Sequence, residues 1–102
     1  MAKRSKLEKI TDYTTRFRCG GGIAVLREEV WVNEMGAVVQ YNLALVAPHL
    51  SAVDNGRILG YDNAHGAHER HSMGKVAPAN FTSYAATARR FFREAAAWRI
   101  KQ

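Results

Sequence analysis

The sequence has a single cysteine and no long apolar segment. Cys19 cannot form an internal disulfide, and without a second thiolate it offers no cysteine-based zinc site. No run approaches the roughly 20 apolar residues that cross a bilayer, and the basic start MAKRSKLEKI lacks the apolar segment of a secretory signal. These absences argue against a disulfide-stabilised scaffold and a membrane-spanning helix. We therefore expect a cytoplasmic protein with no membrane partner.

Acidic residues are also scarce, with nine Asp and Glu against fifteen Lys and Arg and a formal charge of +6. The excess is concentrated at the two ends, because residues 1–18 and 82–102 each carry a net +4 and the intervening segment carries −2. Basic flanks are typical of a protein that contacts a polyanion, although an acidic protein partner would satisfy the same pattern. We expect a nucleic-acid partner, and RNA in particular.

A length of 102 residues with 47% hydrophobic residues predicts one domain spanning residues 1–102. Glycine-containing turns at residues 20–22, 33–36 and 54–56 separate segments rich in β-branched and aromatic residues. They predict an antiparallel meander sheet of four or five strands over residues 11–76, after a basic N-terminal segment 1–10. If Asn55-Gly56 forms a two-residue hairpin turn, His49 faces Asp62 across that hairpin.

The period changes from Phe81 onward. Apolar residues then recur at steps of three and four, and they are Phe81, Tyr84, Ala88, Phe91, Ala95 and Trp98. This stripe predicts one long amphipathic helix over residues 81–101, packed across the apolar face of the sheet. The fold class is therefore predicted to be α+β.

Several basic residues lie away from the predicted core. Alternation in the first predicted strand places Arg16 and Arg18 opposite its apolar side chains, and the helix arginines lie off the apolar stripe. A solvated charged surface is the ordinary explanation for such residues, and nucleic-acid binding is the functional one. The candidate nucleic-acid-binding residues are Arg16, Arg18, Arg57, Lys75, Arg89, Arg90 and Arg93.

Residues 60–71, GYDNAHGAHERH, contain three of the four histidines. Steps of three between His65, His68 and His71 neither align on a helix nor share one face of a strand, so convergence on a metal would require a turn. Gly66 could supply that turn and Asp62 or Glu69 could complete a site, but paired spacings such as HExxH are absent. We predict neither a metal site nor a cofactor.

The same histidines suit proton transfer at a phosphate. Two imidazoles flanking a scissile phosphate can take a proton from the 2′-hydroxyl of RNA and return one to the leaving oxygen, and Arg70, Arg57 or Lys75 could neutralise the developing charge. In an extended segment, however, His68 and Arg70 project to one face and His71 to the other. The structural alternative is a polar network that fixes the turn after the fourth strand.

The segment Arg57 to Val76, RILGYDNAHGAHERHSMGKV, resembles the signature of the TumE-like toxin family. The shared elements are a strand ending in G-Y-D-N at 60–63, Gly66, an H-x-R-H run at 68–71 and Gly74. The resemblance extends from Arg57 to the end of the predicted helix. Ala67 and Glu69 stand where many relatives have adjacent histidines.

The resemblance implies the toxin component of a type II toxin-antitoxin system, acting as a metal-independent endoribonuclease. It also implies a cognate antitoxin that holds the toxin inactive and recruits it to operator DNA. His68 and His71 would transfer protons, Arg70 would clamp the phosphate, and Tyr61 and Asp62 would orient the imidazoles.

A different class of function stays open, in which the chain is a non-catalytic nucleic-acid-binding or regulatory protein that works with a partner protein. A homodimer could also form, because a small sheet leaves edge strands that pairing would cover.

Overall fold

A computed structural model describes residues 6–100, which form an α+β fold with a six-stranded antiparallel sheet and one C-terminal helix. The strands are β1 (Glu8–Cys19), β2 (Gly22–Val32), β3 (Val38–Val46), β4 (Arg57–Asp62), β5 (Glu69–Ser72) and β6 (Lys75–Pro78), and the helix is α1 (Tyr84–Ile100). Each strand pairs with its neighbour in sequence, as a meander requires. The predicted fold class is confirmed, whereas four or five strands was an underestimate.

The predicted boundaries need small corrections. The sheet begins at Glu8 because Glu8 and Lys9 pair with the far end of β2, so part of the predicted N-terminal segment is strand. The sheet ends at Pro78 and the helix begins at Tyr84, after Ser83, whose hydroxyl accepts a hydrogen bond from the Ala86 amide at 3.1 Å. The remaining parts of the predictions, at residues 1–5 and 101, lie outside the described residues.

The two strands beyond the predicted four come from the histidine-rich stretch and the residues after it. β5 and β6 are only four residues each, ERHS and KVAP, too short to show alternation in the sequence. They are joined at Met73 and Gly74, which both have positive φ, at 50° and 84°. Two successive positive φ values are the geometry of a tight hairpin turn, which normally carries Asn-Gly. Met73 therefore concealed this turn from the sequence.

The predicted two-residue turn at Asn55-Gly56 was wrong. Residues 47–56 form a longer connection in which Asp54, Asn55 and Gly56 all have positive φ. His49 lies in this connection with its Nε2 atom 2.6 Å from the Cys19 carbonyl oxygen. The expected His49–Asp62 pair is therefore not formed, and Asp62 lies opposite Asn42 in the sheet.

The hydrophobic core lies between α1 and one face of the sheet. Its fully buried residues include Leu43, Leu45, Leu59, Tyr61 and Phe91. Cys19 is buried at the end of β1, and its thiol lies 3.5 Å from the Trp98 carbonyl oxygen, which confirms a structural position for the cysteine. The helix stripe predicted from the sequence is the surface that covers the sheet.

We call the sheet face opposite α1 the open face. Strand alternation places Arg16, Arg18, Arg27, Glu29, Asn42, Asp62, Glu69 and His71 on it. Arg16 and Arg18 are exposed there, as the alternation of β1 predicted. No helix within residues 6–100 is long and apolar enough to cross a membrane.

Candidate functional site

The five predicted catalytic residues divide between the two faces of the sheet. Tyr61 and Asp62 are consecutive on β4, and Arg70 and His71 are consecutive on β5, so each pair projects to opposite sides. Tyr61 and Arg70 face α1, whereas Asp62 and His71 lie on the open face. The predicted separation of Arg70 from His71 is confirmed.

On the helix side, Tyr61 and Arg70 join Glu94 of α1 in one network. The Tyr61 hydroxyl donates to Glu94 Oε1 at 2.5 Å, and Arg70 donates to the Tyr61 hydroxyl at 3.0 Å and to Glu94 Oε2 at 2.8 Å. Burial, reinforced by the Glu94 hydrogen bond, raises the pKa of Tyr61, so the phenol stays protonated as a donor. Arg70 therefore has a carboxylate partner already, and its position secures the helix to the sheet.

His68 also lies on the helix side, where aromatic rings surround it. Its ring stacks on Phe81 with centroids 3.6 Å apart and an angle of 9° between the planes. Its Nδ1 atom lies 2.8 Å from the Tyr41 hydroxyl, and burial raises the pKa of Tyr41 to about 12. Because His68 is anchored here, one chain does not bring His68 and His71 to a common phosphate. The other predicted metal-ligand candidate, His65, is exposed in the loop between β4 and β5.

A second polar network occupies the open face, and we call Asp54, Arg57, Asp62, Glu69 and His71 the open-face cluster. Arg57 donates to Asp54 Oδ2 at 2.8 Å and to Asp62 Oδ2 at 2.9 Å. His71 Nε2 lies 3.1 Å from Asp62 Oδ2 and 3.9 Å from Glu69 Oε1, and its Nδ1 lies 3.9 Å from Asp54 Oδ2. Asp62 and His71 are buried, and the other three members are partly or more fully exposed.

Glycine at position 60 makes room for this cluster. A Cβ atom there would lie 2.7 Å from Cδ of Arg57 and 3.1 Å from the Leu43 carbonyl oxygen. Both distances are shorter than ordinary van der Waals contacts. The Arg57 side chain can therefore lie across β4 and reach Asp62 because residue 60 has no side chain.

One atom of the cluster lacks a hydrogen bond. His71 Nε2 is buried and has no hydrogen-bond partner among the described residues, because its close contact with Asp62 is not aligned as a hydrogen bond. A ligand atom from each of Asp62, Glu69 and His71 falls within 4.8 Å of the other two. With a neutral imidazole the cluster holds three carboxylates and one guanidinium. This arrangement can support a proton-accepting imidazole or a bound cation.

The candidate nucleic-acid-binding residues do not form one surface. Arg16 and Arg18 are exposed on the open face, whereas Arg89 and Arg93 are exposed on α1 on the other side of the sheet. Arg57 belongs to the open-face cluster, Lys75 is exposed on β6, and Arg90 stacks on Tyr61 and donates to the Ala79 carbonyl oxygen at 3.4 Å. A ligand held by both basic flanks would have to wrap around the molecule.

The sequence analysis did not assign site roles to Asp54, Tyr41 or Glu94. Asp54 could have been found from its position three residues before Arg57 across a turn, a spacing that allows an ion pair. Glu94 and Tyr41 carry no local signal, since their partners lie 24 and 27 residues away. Comparison of the chain with protein-family models, curated proteins and solved structures gave no match.

Proposed function

We propose that this protein is the toxin component of a type II toxin-antitoxin system, that it cleaves RNA, and that the open-face cluster is its reaction centre. The observation that carries the proposal is the convergence of His71, Asp62 and Arg57 on a sheet face that α1 does not cover. The G-Y-D-N and H-x-R-H elements that resemble the TumE-like toxins supply two of these three residues. The basic character of the chain suits an RNA substrate.

The proposed reaction uses protein groups and the 2′-hydroxyl of the RNA. His71 Nε2, which has no hydrogen-bond partner among the described residues, accepts the 2′-hydroxyl proton, and the Asp62 carboxylate stabilises the imidazolium that forms. The 2′-oxygen attacks phosphorus, the bond to the 5′-oxygen breaks, and water protonates that oxygen. The products are a 2′,3′-cyclic phosphate and a 5′-hydroxyl end. Arg57 neutralises charge on the phosphate oxygens.

This mechanism differs from the two-histidine mechanism expected from the sequence. His68 is stacked on Phe81 and bonded to Tyr41, so it supports the fold and has no part in the proposed proton transfer. Access to His71 requires the side chains of Glu69 and Arg57 to shift, since both are only partly buried and form the outer wall of the cluster.

The proposed partners are an acidic antitoxin that covers the open face and, through it, operator DNA. Arg16 and Arg18 on that face offer cationic contacts for an acidic segment. The strand order leaves β1 and β6 as sheet edges in the described part of the chain, and pairing of an edge between two copies would give a homodimer.

The burial of His71 favours one alternative, a non-catalytic nucleic-acid-binding or regulatory protein. His71 is 8% exposed, so the cluster could serve only to fix the hairpin of β4 and β5. In that case Arg16 and Arg18 would contact phosphates without any chemistry.

The deciding experiment incubates purified protein with a single-stranded RNA in the presence and absence of chelator. Its controls are the same RNA with 2′-deoxy substitutions, His71→Ala, and His65→Ala, which removes an exposed histidine of the same loop. We expect cyclic-phosphate ends from wild type and His65→Ala, and none from His71→Ala or from the deoxy substrate. If folded wild type leaves RNA intact but binds it, the non-catalytic function replaces the proposal.

A further inference from the structure

The open-face cluster also has the features of a cation site, and the first is its backbone placement. Asp62 on β4 lies directly opposite Glu69 on β5, and His71 follows Glu69 by two residues on the same strand. Residues two apart on a strand, and residues paired across a sheet, project to the same face. The three donors are therefore brought together by regular strand geometry, so no loop conformation is needed to assemble them.

The donor distances suit a small divalent ion. Imidazole nitrogen and carboxylate oxygen bind Zn²⁺ at about 2.0–2.2 Å, which places neighbouring donors about 3.0–3.5 Å apart. His71 Nε2 is already 3.1 Å from Asp62 Oδ2, and Glu69 Oε1 is 3.9 Å from Nε2. A rotation of the partly exposed Glu69 side chain would complete the set.

The second feature is the buried nitrogen without a hydrogen bond. The His71 side chain is 10% exposed, and its Nε2 atom is aimed at the two carboxylates without a hydrogen-bond partner among the described residues. An unpaired buried nitrogen is unfavourable, and a cation would satisfy its lone pair. On the other side of the ring, Nδ1 faces the Asp54 carboxylate at 3.9 Å. A carboxylate behind a metal-binding histidine commonly orients the ring and increases its basicity.

The charge balance also favours a cation. Asp54, Asp62 and Glu69 contribute three negative charges, and Arg57 contributes one positive charge. Arg57 occupies one lone-pair direction of Asp62 Oδ2 and will weaken binding, but it does not contact Glu69 or His71 through any described ion pair. The cluster is a net anionic site in a chain of net charge +6.

We propose that Asp62, Glu69 and His71 bind one divalent transition-metal ion, with Zn²⁺ preferred to Mn²⁺ and Mn²⁺ to Mg²⁺. A donor set of one imidazole and two carboxylates matches Zn²⁺ and Mn²⁺, whereas Mg²⁺ prefers oxygen ligands and retains its waters. The proposal rests on donor geometry and does not depend on RNA cleavage. If both proposals hold, an ion on Nε2 takes the lone pair that would accept the 2′-hydroxyl proton, so the metal inhibits cleavage.

Isothermal titration calorimetry of the metal-stripped full chain with ZnCl₂, MnCl₂ and MgCl₂ tests the site directly, without RNA. Glu69→Ala is the main variant, because Glu69 is partly exposed and its one ion pair among the described residues is the long contact with His71. We expect one Zn²⁺ per chain for wild type and at least about tenfold weaker binding for Glu69→Ala, the scale on which changes around a metal act.

His65→Ala is the matched control, since an exposed histidine can bind Zn²⁺ by itself. Its affinity should equal that of wild type. Absence of Zn²⁺ binding to the folded wild type would overturn the proposal. So would equal affinities for wild type and Glu69→Ala, or loss of binding in His65→Ala, which would assign the ion to the loop. Thermal unfolding of each metal-free variant verifies that it is folded.

Discussion

Arg70 on β5 and Glu94 on α1 form an ion pair of 2.8 Å that joins the sheet to the helix. The Tyr61 hydroxyl completes the contact by bonding to both side chains. An arginine within the histidine-rich stretch thus has a carboxylate partner 24 residues further along the chain. The sequence pattern that marks Arg70 as a phosphate ligand also marks the residue that positions the helix.

Glu94→Gln should lower the free energy of unfolding at neutral pH by about 1–2 kcal/mol, after allowance for the partial exposure of the pair. Burial alone would raise the pKa of Glu94, but the hydrogen bonds from Arg70 and Tyr61 and the nearby arginine charges lower it overall from 4.5. Because the folded-state pKa is lowered, the contribution is complete above the unfolded pKa and is lost as pH falls through the folded one.

Urea unfolding of wild type and Glu94→Gln between pH 7 and pH 3 measures this contribution. The two curves of stability against pH should converge in acid. Glu34→Gln, at an exposed turn position, is the matched control and should leave stability unchanged at every pH. A constant difference between wild type and Glu94→Gln over the whole range would argue against the linkage.

Gly60→Ala should destabilise the protein by about 1–3 kcal/mol, because the added methyl meets Arg57 and must displace it. The same substitution in an Arg57→Ala background should cost less, since only the 3.1 Å approach to the Leu43 carbonyl oxygen remains. A double-mutant cycle by chemical denaturation gives the coupling between the two positions. Zero coupling would mean that Arg57 does not cross β4 as described.

His68→Gln should lower stability by about 1–2 kcal/mol through loss of stacking on Phe81 and of the contact with Tyr41. If the chain cleaves RNA as proposed, this variant should retain cleavage below its melting temperature, whereas His71→Ala should not. His65→Gln serves as the exposed control for both measurements. A folded but inert His68→Gln protein would restore His68 to the reaction.

Arg16→Glu combined with Arg18→Glu should weaken RNA binding and flatten its salt dependence, if the open face meets the nucleic acid. Each lost phosphate contact on a single strand lowers the slope of log affinity against log salt by about 0.7. Arg89→Glu with Arg93→Glu changes the net charge equally on the opposite side of the molecule. Equal effects of the two double variants in fluorescence anisotropy would show that only total charge matters.

The sequence predicted the parts of the fold that repeat a period. Alternation in β1 and the three-and-four spacing of α1 both fix which side chains meet the core, so the fold class and the outward positions of Arg16 and Arg18 followed directly. β5 and β6 were missed because strands of four residues are too short for a period, and Met73 stands where a turn residue is expected.

The site was less predictable because its contacts cross between elements. Knowing that His71 lies on the open face requires the register of β4 and β5, and that register depends on the unrecognised turn at Met73 and Gly74. The aromatic packing of His68 likewise requires Phe81 and Tyr41, which adjoin it only after the sheet and helix have packed.

The meander order has a consequence for the rate at which the chain folds. Every strand pairs with its neighbour in sequence, so successive hairpins can form after short loop closures. The long-range contacts belong to the helix: Tyr84 bonds to Glu28 across 56 residues and Cys19 to Trp98 across 79. Docking of α1 is therefore the step with the greatest loop-closure cost. Substitutions at these helix contacts should slow folding if docking precedes the transition state, and should instead accelerate unfolding if docking follows it.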